Sequence, residues 1–296
     1  MKSSLPLILA FSAVFCSFAI AQDASYEAPK TEYGHPDLQG VWNFSSSTPM
    51  QRPTQFGEQE LLTREEVETA IARQEARAIA ADAAAAKLVV NPEAPSATDD
   101  PGGYNDFWFE MANIGDTVRA SHIVYPLNGR LPPAVEGAQR QFGGLGPDIP
   151  STRPVRFVVG GIAKDGPEDR GTSERCIVGF NSGPPFTPSL YNNNVQIFQN
   201  KDTAVIMTEM IHDARIVPLD GRDYIDDSIR QFSGDSRGYW EGDTLVVETR
   251  NFNDLTQSFG VFGSSIDKVL TEKFTRVDEF TVNYEFTVDD PSTFKD

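Results

Sequence analysis

The residues best equipped for chemistry stand together in TEMIHDARIVPLDGR, residues 208–222, where Glu209, His212, Asp213 and Arg215 interrupt an apolar run. A carboxylate and an imidazole can pass protons near neutral pH, and a guanidinium can hold an anion beside them. Read this way, Glu209, His212 and Asp213 are catalytic candidates for cofactor-independent acid–base chemistry, in a lyase, isomerase or hydrolase. The same set could line the mouth of a binding pocket, with Arg215 contacting a ligand. A third reading is structural, because buried charges usually occur paired and Asp213 and Arg215 are spaced to pair.

If residues 205–217 form one uninterrupted strand, Glu209, Asp213 and Arg215 share a face and His212 points to the other. At a rise of roughly 3.3 Å per residue, Glu209 and Asp213 lie about 13 Å apart. That exceeds the roughly 5 to 9.5 Å between glycosidase carboxyl pairs, so this strand alone does not supply one. Further ligand contacts are assigned to His122 and, within GDSRGYWEGD, to Asp235, Arg237 and Trp240, with Asp235 and Arg237 also spaced to pair. Gly234-Asp235-Ser236-Arg237-Gly238 has the glycine-x-serine-x-glycine form, but it reads as a glycine-bounded turn and Ser236 is not taken as a nucleophile.

Other chemistries find little purchase. The histidines at 35, 122 and 212 and the cysteines lack metal-ligand spacing, so no metal is expected. The acids at 220, 223, 226 and 227 lack the order of a calcium loop and read as a solvated turn. No phosphate-cradling glycine loop or dinucleotide fingerprint is present, so no cofactor is expected. Cys176, between Arg175 and Ile177, reads as a small buried residue, with a reactive thiolate as the alternative.

The chain has 296 residues and a formal net charge of −18, which disfavours a nucleic-acid partner. Lys2, an apolar stretch from Leu5 to Phe15 and the small-residue site Ala19-Ile20-Ala21 make residues 1–21 a secretory signal cleaved near Ala21. The expectation is a periplasmic or secreted protein without a membrane span, since no second long apolar run follows. Cys16 leaves with the signal, so no intramolecular disulfide can form.

The elements that must position these residues are mostly strands. VQIFQ and TAVIMTEMI flank a turn at 200–202, GYW and TLVVET flank Glu241-Gly242-Asp243, and LTEKFTRV and FTVNYEFTV flank Asp278-Glu279. The last segment alternates, with Phe280, Val282, Tyr284, Phe286 and Val288 on one face. Thr63 and Glu66 have capping-box spacing and open a peripheral helix over 64–86, with Leu62 and Val67 placed as a staple. Residues 22–36 read as a flexible leader. Residues 91–150 read as an irregular cover with an aromatic cluster (Tyr104, Phe107, Trp108, Phe109) and a short strand-like run over 120–125. The expected fold is mainly β, one domain over 37–296, an antiparallel meander closed into a barrel, with a β-sandwich as the alternative.

Two resemblances attach to these residues. Gly40-Val41-Trp42 resembles the opening Gly-x-Trp signature of lipocalin-type barrels. LNGRLPP (127–133), SERCIVGFNSGPP (173–185), YNNNVQIFQ (191–199), EMIHDARIVPLDGR (209–222), GDSRGYWEGDTLVVETRNF (234–252) and EKFTRVDEFTVNYEFTVDDP (272–291) resemble a family of exported bacterial proteins of no established activity. The resemblance implies export and no particular reaction. Composition and pattern together point first to a barrel holding a small, partly apolar ligand. The alternatives are the acid–base enzyme above and an envelope scaffold whose 99–150 segment is a partner surface.

Overall fold

The computed structural model describes residues 26–85, 118–138, 172, 175–253 and 266–295. The expected signal segment (1–21), the aromatic cluster at 104–109 and most of the expected 91–150 cover lie outside these residues. The described chain is mainly β, with two four-stranded antiparallel sheets and one α-helix. The first sheet runs in order β1 (Gly40–Asn43), β2 (Asn194–Gln199), β3 (Thr203–Thr208), β4 (Ala214–Pro218). The second runs β5 (Asp235–Glu241), β6 (Thr244–Arg250), β7 (Val269–Arg276), β8 (Val282–Asp289).

Local chemistry explains why each hairpin turns where it does. Between β2 and β3 the Asn200 side chain accepts the Asp202 amide at 2.9 Å, an Asx turn that reverses the chain. Between β5 and β6, Gly242 adopts φ 59°, the left-handed conformation a two-residue hairpin turn demands. Between β7 and β8, Asp278 accepts the Phe280 amide at 2.7 Å. That turn leaves Phe280 80% exposed, so it does not join the buried face of β8 as the alternation suggests; the alternation itself holds from Val282 onward.

The inner faces of both sheets contribute to one core, in which Leu38, Ile197, Ile206 and Val217 from the first half meet Leu245, Val247 and Phe274 from the second. Phe186, from the segment before β2, stacks on Tyr284 at 3.9 Å and leans on Phe44. Where the sheets meet, a Cβ on Gly238 of β5 would lie 2.6 Å from Leu219 and 2.9 Å from Val217, so only glycine permits this approach to β4. At another junction Arg276 donates to the Asp37 carbonyl at 2.8 Å and covers the Trp42 ring. No closed barrel is detected among the described residues, and a sandwich describes this packing as well as a barrel does.

The helix α1 (Arg64–Ala85) begins with a formed capping box: the Thr63 amide donates to Glu66 at 2.7 Å and the Glu66 amide to Thr63 at 3.3 Å. Among its described side chains only Val67 is buried, which makes it peripheral. Two expectations fail. The 120–125 run forms no strand, because its amides bond to loop carbonyls of Glu60, Pro49 and Met50 and meet no neighbouring ladder. Residues 26–36 are not a free leader: a Lys30–Pro36 bridge and the Asp37 amide on Pro29 fold the stretch back, and Ala28 is buried.

Candidate functional site

The charged segment 205–217 is not one strand. β3 stops at Thr208, a 3-10 turn occupies Met210–His212, and β4 starts at Ala214, so the segment is a hairpin. Ile211 and His212 take φ of 66° and 61°, which carries the chain around without a glycine. The turn is held by the Thr208 amide on the Asp213 carbonyl at 2.9 Å and by Met210, whose side chain fills the space beside Gly179. A single shared face for Glu209, Asp213 and Arg215 is therefore lost.

The four candidates of this segment separate. Glu209 is exposed and accepts from the Asn194 side chain at 2.9 Å. His212 is exposed, its Nδ1 lying 3.2 Å from the Glu209 carbonyl oxygen. Asp213 is half-buried and accepts from Ser233 at 2.8 Å. Arg215 alone turns inward from β4. Glu209 and His212 thus share an exposed turn without their side chains meeting, which is poor geometry for a proton relay.

Arg215 lies between the sheets, its side chain 6% exposed against 0% for Glu272 of β7. Nη1 donates to Glu272 Oε2 at 2.5 Å and Nη2 to Oε1 at 2.9 Å, a bidentate pair. The Tyr284 hydroxyl of β8 donates to Glu272 Oε1 at 2.6 Å. Burial opposes the Arg215 charge, but attraction to Glu272, then the bonds to it, with Tyr284 and Asp213 following, raise its pKa. Burial and then the Glu272 charge push the Tyr284 hydroxyl well above its ordinary range. The expected partner of Arg215 was Asp213; the actual one comes from the opposite sheet.

The remaining candidates fall into separate clusters. Asp235 and Arg237 pair at 2.7 Å, and both reach back to the preceding loop, Asp235 to the Ile225 amide and Arg237 to the Asp223 carbonyl. Arg237 and Arg250 flank the Tyr224 ring at 5.0 and 5.3 Å, and Tyr224 donates to Glu248 at 3.0 Å. Trp240 stacks on His35 at 4.8 Å. His122 contacts Ser46 at 3.0 Å, and desolvation, then the Arg119 charge, lower its pKa. The Arg215 guanidinium bonds to Glu272 and to none of these side chains.

The loop after β4 uses its acids in turns. Asp220 accepts from the Arg222 guanidinium, whose hydrogen bond holds that carboxyl down at about 2, and Asp226 accepts from Ser228. Among the described residues no cluster of three or more His, Cys, Asp or Glu is placed to hold a metal ion. Cys176 is exposed, with φ 55°, and so is not the buried small residue expected.

Glu272 and Tyr284 are the functional candidates that sequence reading missed. The signal was present for Glu272: it shares strand parity with Leu270 and Phe274, both fully covered, and an acid between two core residues requires a partner. Comparison with known protein families, curated proteins and solved structures gave no match for this chain. No helix among the described residues is long and apolar enough to cross a membrane.

Proposed function

We propose that this is an exported protein that binds a small, partly apolar molecule between the two sheets, at the end where inward polar side chains gather. The support is how inward residues sort along the strands. In the row beside Leu38, the first sheet offers Gln199, Ala204 and Val217, and the second Trp240, Leu245, Phe274 and Tyr284. In the next two rows stand Arg215, Glu272, Thr208, Ser236 and Thr249, among Trp42, Val195, Ile197, Ile206, Val247, Leu270, Phe286 and Val288.

Buried polar groups stabilise a fold only as far as they are bonded, so a core gains nothing by concentrating them on one side. A ligand with an apolar body and a polar end does gain. The Thr208 hydroxyl makes only long bonds of 3.4 Å, and the Ser236–Thr249 pair shares a single bond of 2.8 Å, which leaves one hydroxyl hydrogen for another acceptor. Arg215 is committed to Glu272, so its role is to polarise the space and fix Tyr284, with the hydroxyls reading the ligand.

The test is native mass spectrometry of the full chain purified under mild conditions. It should carry one small molecule per chain, lost on denaturation. The double replacement Arg215→Met with Glu272→Leu keeps volume and removes the charges, and should lower retention at least about tenfold. A wild-type protein that carries nothing, and whose melting is unmoved by a library of amphipathic acids and alcohols, ends this reading.

A further inference from the structure

Two arginines among the described residues are buried, and their charges are answered differently. Arg215, 7% exposed, meets the Glu272 carboxylate through two bonds. Arg52, 1% exposed, meets no carboxylate among the described residues. Its Nη1 donates to the backbone carbonyls of Leu127 at 2.8 Å and Gly57 at 3.4 Å. Nε has no hydrogen-bond partner, and Nη2 bonds to none of the described residues. A guanidinium keeps its charge when buried, and a buried charge or donor left unanswered is rare and costly.

The surroundings hold Arg52 in place and are basic. The chain after β1 runs beside residues 118–131, with the Arg52 amide on the Gly129 carbonyl at 2.8 Å and the His122 amide on the Pro49 carbonyl at 2.9 Å. Gly129, at φ 66°, lies against the side chain: a Cβ there would be 2.7 Å from Arg52 Nε and 2.5 Å from the Ser121 hydroxyl. Arg130, half-buried, donates through Nη1 to the Arg52 carbonyl at 2.6 Å, which anchors a second guanidinium on this segment. Residues 38–57 and 118–135 contain Arg52, Arg119 and Arg130 and no Asp or Glu, within a chain of net charge −18. Arg119 is engaged by Glu60 at 3.5 Å, whereas no carboxylate among the described residues pairs with Arg52 or Arg130.

We propose that Arg52 and Arg130 form a binding site for a small oxyanion, a phosphate group or a carboxylate. Nε and Nη2 lie along one edge of the planar guanidinium, and two parallel N–H groups on an edge match two oxygens of such an anion. Glu272 supplies that pair of oxygens to Arg215; Arg52 takes them from outside the chain. A water molecule satisfies a donor but brings no charge, so it leaves Arg52 and Arg130 uncompensated. The cover over the site is thin. Leu127 gives its carbonyl to Arg52 while its side chain is 63% exposed, and Tyr125 beside it is 76% exposed, so the anion enters past a loop that packs few side chains inward.

Isothermal titration calorimetry of the full chain in Tris chloride, with inorganic phosphate, sulfate and acetate as probes, should show one saturable site per chain with a Kd below about 1 mM. Binding of phosphate and sulfate alone identifies a phosphate-type ligand, and binding of acetate alone identifies a carboxylate. Arg52→Lys keeps the charge and loses the fork, and should weaken binding at least about tenfold. Arg130→Gln should weaken it about fivefold, and it decides the matter should circular dichroism show Arg52→Lys unfolded. Heats no larger than those of added chloride mean that water alone answers Nε, and they overturn the proposal. So does binding that every folded variant retains at full strength. The site shares no residue with the ligand space between the sheets, so either proposal can fail alone.

Discussion

The two sheets are built alike and charged oppositely in space. Each is a four-stranded antiparallel meander. The strands of the first contain one charged residue, Arg215, and it points inward; those of the second carry charges of both signs, most facing solvent. An outward charge gains little and keeps a surface wet. An inward charge is tolerable only with a bonded partner, and here the partner must come from the other sheet. Arg215 and Glu272 therefore act as a clasp between two units that hydrophobic packing alone would allow to slide.

The largest test of this asymmetry is Arg215→Met. It strands Glu272 in the core and should cost about 3 to 5 kcal/mol in urea unfolding, with most of that recovered on adding Glu272→Leu. Failure of the second change to restore stability would show that the clasp matters through geometry beyond charge pairing. Next is the seam itself: Gly238→Ala pushes a methyl group into Val217 and Leu219, and should cost about 2 to 3 kcal/mol with no change in surface charge. Smallest is Tyr284→Phe, which removes one bond to a charged acceptor and should cost about 1.5 to 2 kcal/mol.

That last variant also has a pH signature. The native hydroxyl titrates above the unfolded value of 10.0, so its contribution is complete below pH 10 and is lost as pH rises through the native pKa. Wild-type stability should fall above pH 10 more steeply than that of Tyr284→Phe, and parallel curves would reject the coupling.

Much of the fold was legible because the signals were local. Asn200-Lys201-Asp202, Glu241-Gly242-Asp243 and Asp278-Glu279 mark their turns with residues suited to them, and Thr63 and Glu66 mark the helix start four positions apart inclusive. The 209–213 turn has no such mark: Ile211 and His212 enter the left-handed region under tertiary constraint, so the segment reads as one strand. The clasp was illegible for another reason. Arg215 and Glu272 are 57 residues apart and on different sheets, and no spacing rule joins them. What parity could reveal was that each needs a partner, not which one.

The position of β1 bears on the order in which the molecule assembles. Four hairpins close within a few residues, whereas Asn43 meets Asn194 at a sequence separation of 151. Loop-closure entropy grows with such separations, and long-range pairings are paid for before they reward. Closing β1 onto β2 therefore carries the largest loop-closure cost in the first sheet, and β1 is what covers a margin of β2 that would otherwise be an open edge for strand addition.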